Sequence, residues 1–91
     1  MRVVNCRIAP GGHTGWHSHP GPAFVAVTKG TLTLVRADDL DNPVEYPAGT
    51  DFVEAIDRVH IAKNAGDGDL EMTGFLLIPK GAPPRVDEPA P

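Results

Sequence analysis

The apolar residues of this chain come in short runs cut by Gly, Pro, Asn or Asp, and none sustains the periodicity of a three-turn amphipathic helix. That punctuation leaves an all-β domain as the fold class. Alternation predicts strands near residues 2–9, 15–19, 23–29, 31–36, 43–46, 51–54, 58–63 and 69–78. Lys29-Gly30 joins two of them by a tight turn. Asp38-Asp39-Leu40-Asp41-Asn42-Pro43 reads as an exposed loop, and Asn64-Ala65-Gly66-Asp67-Gly68-Asp69 as a further turn. Strands at this spacing suit a barrel or a sandwich, which alone says nothing about function.

At 91 residues the chain makes one domain with marginal burial, so a metal, a second subunit or both would support it. Residues 1–78 read as the folded domain. Residues 79–91 contain five of the ten prolines and read as a Pro-rich, extended, mostly disordered tail. Cys6 has no intramolecular partner, which points to an intracellular protein, and its alternation with Val4 and Ile8 points to a buried thiol. A net charge of −4 with scattered Lys and Arg argues against nucleic acid as a partner. No apolar run approaches the ~20 residues of a membrane span, and the first residues lack the pattern of a signal peptide. The expectation is a soluble, cytoplasmic protein.

His17-Ser18-His19 lies in a predicted strand, where residues i and i+2 point to one face. Two imidazoles so placed can converge on one ion, while Trp16 and Ser18 face the other way. Imidazole suits Fe, Mn, Zn, Ni, Co or Cu far better than Ca or Mg. A bare His-x-His also fits two surface histidines on a polar strand, so the surrounding residues decide.

Those surroundings form two patterns. Gly11, five residues, His17-Ser18-His19 and then Gly30 resembles the first motif of the cupin family, which runs Gly, five residues, His-x-His, three or four residues, Glu, six residues, Gly. Gly49, five residues, Ala55-Ile56-Asp57, two residues, His60, three residues and Asn64 resembles the second, in which Pro-x-Gly precedes the histidine. The resemblance implies a double-stranded β-helix (a cupin or jelly-roll barrel) and a metal site of His17, His19 and His60. It also marks departures. Ala23 stands where the family's Glu ligand falls, and Ala55 and Asp57 replace the Pro and Gly of the turn, where Asp tolerates a positive φ.

A site of three neutral histidines would leave a divalent transition metal its full charge, attract anions and keep positions open for a chelating ligand or O2. His13 shares the parity of the pair and is a candidate further ligand or a residue of the cavity rim. Glu54 is a candidate general base, although a solvated strand-end carboxylate is the commoner reading. Asn64 reads as a turn cap. Val25, Val27, Leu32, Leu34, Phe52 and Met72 are expected to line an apolar cavity for a small molecule. The resemblance implies a metal-dependent enzyme acting on a small chelating substrate, an oxygenase or else an isomerase or cyclase. The alternatives are a metal- or ligand-binding module without turnover and a structural cupin with a vestigial site. An outward Trp16 on so short a chain leads to the expectation of a homodimer with Trp16 at its interface.

Overall fold

Alternating side chains sort every strand into an outer and an inner face, and the computed structural model of Met1–Pro91 uses both in two antiparallel sheets. The strands are β1 (Arg2–Ile8), β2 (His17–Ser18), β3 (Ala23–Lys29), β4 (Thr31–Arg36), β5 (Asp39–Pro47), β6 (Asp51–Glu54), β7 (His60–Lys63), β8 (Leu70–Leu76) and β9 (Val86–Asp87). One sheet has the order β1-β8-β3-β6 and the other β5-β4-β7-β2-β9. No helix of the structure is long and apolar enough to cross a membrane.

Ile8, Val27, Leu32, Leu34, Ala62 and Leu70 form the buried core between the sheets, with Tyr46 stacked on Phe52 at 4.3 Å beside it. Only 15 of the 91 residues are buried, so this core is thin, as the chain length leads one to expect. The Lys29-Gly30 turn is tight for a steric reason. Gly30 has φ +76°, and a Cβ there would lie 2.7 Å from the Asp69 carbonyl oxygen.

Strands β3, β4 and β6 fall where alternation put them. Two expectations fail. The acidic segment before Pro43 is not a loop but the first part of β5, which pairs back on β4 through a two-residue turn at Ala37-Asp38. Its prolines and carboxylates are tolerated because β5 is the outermost strand of its sheet, with one side unpaired. Nor do residues 79–91 form a free tail. Val86 and Asp87 pair with Ser18 and His17. Both are exposed, so backbone and polar contacts rather than apolar burial hold this segment, and composition does not report such contacts.

Leu70 is fully buried and Val3 is 52% exposed. Leu70→Ala is expected to lower stability by about 2–5 kcal/mol and Val3→Ala by less than about 0.5 kcal/mol, as measured by urea unfolding.

Candidate metal centre

His17 and His60 are direct cross-strand partners on β2 and β7, and His19 follows β2 by one residue. Strand alternation turns His17 and His19 the same way, and antiparallel pairing sets His60 opposite His17, so the three rings form a triangle. The ring centroids are 4.9 Å apart for His17–His19, 4.3 Å for His17–His60 and 5.3 Å for His19–His60. One nitrogen from each ring lies within 4.8 Å of the other two. The turn before His60 survives the loss of Pro and Gly because Asp57 adopts φ 59°. Its N–H donates to the His19 carbonyl at 2.9 Å, tying the two motifs together.

Each ring is fixed by the same device. His17 Nδ1 lies 2.8 Å from the Gly15 carbonyl oxygen, His60 Nδ1 2.8 Å from that of Arg58, and His19 Nδ1 2.8 Å from that of Pro84. A carbonyl oxygen only accepts, so in the neutral form of each ring Nδ1 carries the proton and Nε2 is left with a free lone pair. Histidines that bind metals are oriented this way, the second ring N–H being held by a carbonyl or carboxylate. Burial lowers the pKa of His17 to about 4, against a smaller upward pull from its Gly15 hydrogen bond. Burial does the same to His60, to about 4, opposed by its bond to Arg58. Both are therefore neutral at pH 7, the form a metal requires. The donor set fits a single divalent transition ion.

The cluster opens on a cavity of about 210 Å³. Val25, Leu32, Leu34, Phe52 and Met72 line it as alternation predicts, whereas Val27 packs into the core. Cys6 is half-buried and borders the cavity rather than lying wholly in the core. Ala23 lies on the cavity wall, so no carboxylate reaches the histidines from that position. Directly across the ladder from Ala23 stands Glu54, 1% exposed and not solvated as its strand-end position suggests. Arg36 Nε and Nη2 donate to its two carboxylate oxygens at 3.1 and 3.3 Å. Burial works against the Arg36 charge, but its bonds to Glu54 outweigh it and raise its pKa. Because Arg36 is on β4 and Glu54 on β6, the pair bridges the two sheets.

Arg36 was legible in principle. It has the inward parity of Leu32 and Leu34, as Glu54 has that of Phe52, and two inward charges imply each other. Arg85 and Pro84, which also border the cavity, have no such signal in the sequence. His13 does not join the cluster. It is exposed, and its Nδ1 accepts from the Gly15 N–H at 2.9 Å. Asn64 is a turn cap, donating to the Ile8 and Gly68 carbonyls and accepting from Gly66 N–H.

The model of the cupin domain family (Cupin_2) matches residues 4–81. No curated protein matches the chain. A conserved protein with a double-stranded β-helix domain from Klebsiella pneumoniae is 22% identical, with a TM-score of 0.69 over 79% of this chain and 62% of that one. An RmlC-like cupin family protein from Methanocaldococcus jannaschii, also a double-stranded β-helix, is 18% identical, with a TM-score of 0.73 over 79% and 64%. Oxalate oxidase, solved also with the substrate analogue glycolate, is 27% identical, with a TM-score of 0.71 over 79% and 39%. This chain thus spans 64% or less of the length of each.

The buried histidines make stability depend on pH. Between pH 6.5 and about 4 the unfolded chain binds protons at His17 and His60 that the folded chain does not. Stability of the metal-free protein should therefore be fully present above pH 6.5 and fall as pH drops toward 4, by roughly 2–3 kcal/mol per histidine. Urea midpoints measured across that range should show the slope, and His17→Gln/His60→Gln should flatten it.

Proposed function

The chain belongs to the cupin domain family, and on that premise we propose a metal-dependent enzyme that acts on a small chelating substrate, with an oxygenase-like reaction ahead of isomerase or cyclase chemistry. His17, His19 and His60 are its metal ligands. The observation that carries this reading is the set of three Nε2 lone pairs left free at the wall of a small, largely apolar cavity. A structural site would close with a fourth protein ligand, whereas Ala23 leaves room for an exogenous one. A bound divalent ion supplies Lewis-acid activation of a substrate oxygen, or redox chemistry where the ion is Fe, Mn, Co or Cu. The cavity is below the ~300 Å³ of ordinary drug-sized sites, so the substrate is small. Three neutral ligands favour an anionic one. The likeness to oxalate oxidase supports the same chemistry.

The chain's own residues supply the surroundings. Val25, Leu34, Phe52 and Met72 limit water around the reacting groups. Glu54 and Arg36 hold the two cavity walls together. One observation favours the alternative, a binding module without turnover: the sole carboxylate lining the cavity has both oxygens engaged by Arg36, so no free carboxylate stands beside the histidines.

Size and surface favour a homodimer. On the outer face of the first sheet, Val3, Phe75, Phe24 and Val53 are register neighbours in one row across all four strands. Each is 39–55% exposed. Trp16, by contrast, is half-buried, and its carbonyl accepts from Glu88 N–H, so the sheet face is the better interface. An unpaired Cys6 beside the cavity suits the reducing cytoplasm.

Purified protein should carry about one equivalent of transition metal per chain, and His60→Ala should weaken that affinity at least ~100-fold, because two donors compete poorly with water. Elemental analysis and competition with a chelator read this out. Oxygen uptake by the loaded protein should respond to one of oxalate, glycolate, catechol-like, thiol or β-diketone substrates. Stoichiometric metal without turnover of any would favour the binding module. Light scattering should give twice the chain mass, and Phe24→Lys/Phe75→Lys should give the monomer with metal binding intact.

A further inference from the structure

Two of the three histidines carry their own anchor. His17 Nδ1 uses the carbonyl two residues before it, and His60 does the same. His19 does not. Its Nδ1 reaches Pro84, 65 residues away and beyond the end of the family match at residue 81.

Pro84 begins a short strap that runs along β2. Val86 and Asp87 pair with Ser18 and His17. Glu88 N–H donates to the Trp16 carbonyl at 3.0 Å, and Ser18 Oγ donates to Glu88 Oε2 at 3.0 Å. Pro83-Pro84 stiffens the approach, because a fixed φ at each leaves less chain entropy to lose on docking. Between these anchors, Arg85 Nη2 donates to the Thr14 carbonyl at 3.0 Å, and Nε and Nη2 lie 3.0 and 2.8 Å from Asp87 Oδ1. Nη1 has no protein partner, and the residue borders the cavity. Covering the open side of β2 would need only the backbone ladder. It would need neither a carbonyl aimed at an imidazole nor a guanidinium at the cavity.

We propose that residues 84–88 are a working part of the site: the Pro84 carbonyl is the positioning group for His19, and Arg85 anchors the carboxylate of a small anionic substrate. The second half rests on the metal-dependent reading above; the first does not. A permanently charged planar guanidinium suits a carboxylate, and Arg85 is the one Arg or Lys side chain lining the cavity. Its own ion pair is with Asp87, whose side chain is 86% exposed, so a carboxylate in the cavity can still take Nη1.

Three variants of the whole chain test this. Arg85→Gln/Glu88→Pro removes the Glu88 N–H and carboxylate anchors and the Arg85 charge, and the residue before the new proline is already extended. Nitrogen-15 spectra of the metal-free protein should show the His19 Nδ1–H tautomer in the wild type and a tautomer mixture in the variant, with His17 and His60 unchanged. Cobalt(II) affinity should fall about 10-fold or more. An unchanged His19 tautomer overturns the positioning role. Arg85→Gln alone should bind cobalt(II) as the wild type does, yet weaken oxalate binding to the cobalt-loaded protein at least ~10-fold, with partial recovery in Arg85→Lys. Equal oxalate affinity in Arg85→Gln overturns the anchor. A wild type that binds no cobalt overturns the metal reading and the anchor with it, while the His19 tautomer still decides the positioning role.

Discussion

Three backbone carbonyls, those of Gly15, Arg58 and Pro84, decide what the histidine cluster can be. Each removes the choice of tautomer from one imidazole and leaves its other nitrogen as an acceptor. Three acceptors brought within 4.8 Å of one another repel unless something positive lies among them. A proton is a poor answer for His17 and His60, because burial holds both well below neutral pKa. A metal cation satisfies all three lone pairs at once. The chemistry proposed for the site follows from this pattern of donors and acceptors more than from the identity of the residues alone.

The remainder of the molecule bears the cost of keeping such a cavity open. Six side chains make the buried core, and apolar residues that might have enlarged it line the cavity instead. Two polar links compensate. The Arg36–Glu54 pair joins the sheets beside the site, and Asn64 donates to the Ile8 carbonyl of the opposite sheet near the core. A buried pair of this kind contributes little net stability over an apolar replacement, yet losing one partner costs about 3–5 kcal/mol, so it enforces alignment of the sheets.

Local alternation made much of the fold legible, because a strand with one buried face writes its period into the sequence. Residues 31–36 and 51–54 show this directly. His17 and His19 were legible for the same reason, and His60 only through the two-motif resemblance, since nothing local ties it to residues 43 positions earlier in the chain. Asp57 was legible as a residue able to take a positive φ. What escaped has a common cause. β9 is two exposed residues held by backbone bonds to a distant strand, so neither pattern nor composition marks it, and with it went Pro84 and Arg85. The β5 segment looked like a loop because edge strands tolerate the Pro and Asp that loops favour. Glu54 was misread on chemical habit, although its parity with Phe52 already turned it inward.

The two sheets share the cavity unequally. His17, His19 and His60 all sit on or beside β2 and β7 in a single layer, while Val25, Phe52 and Met72 face them from the other. A change in the facing layer therefore alters the room available to a guest without altering the spacing among the imidazoles. Affinity for the ion and tolerance for the size of its companion are set by different parts of the molecule. Substitutions on the facing sheet can consequently retune which molecule is accepted while the ion's own coordination stays as it was.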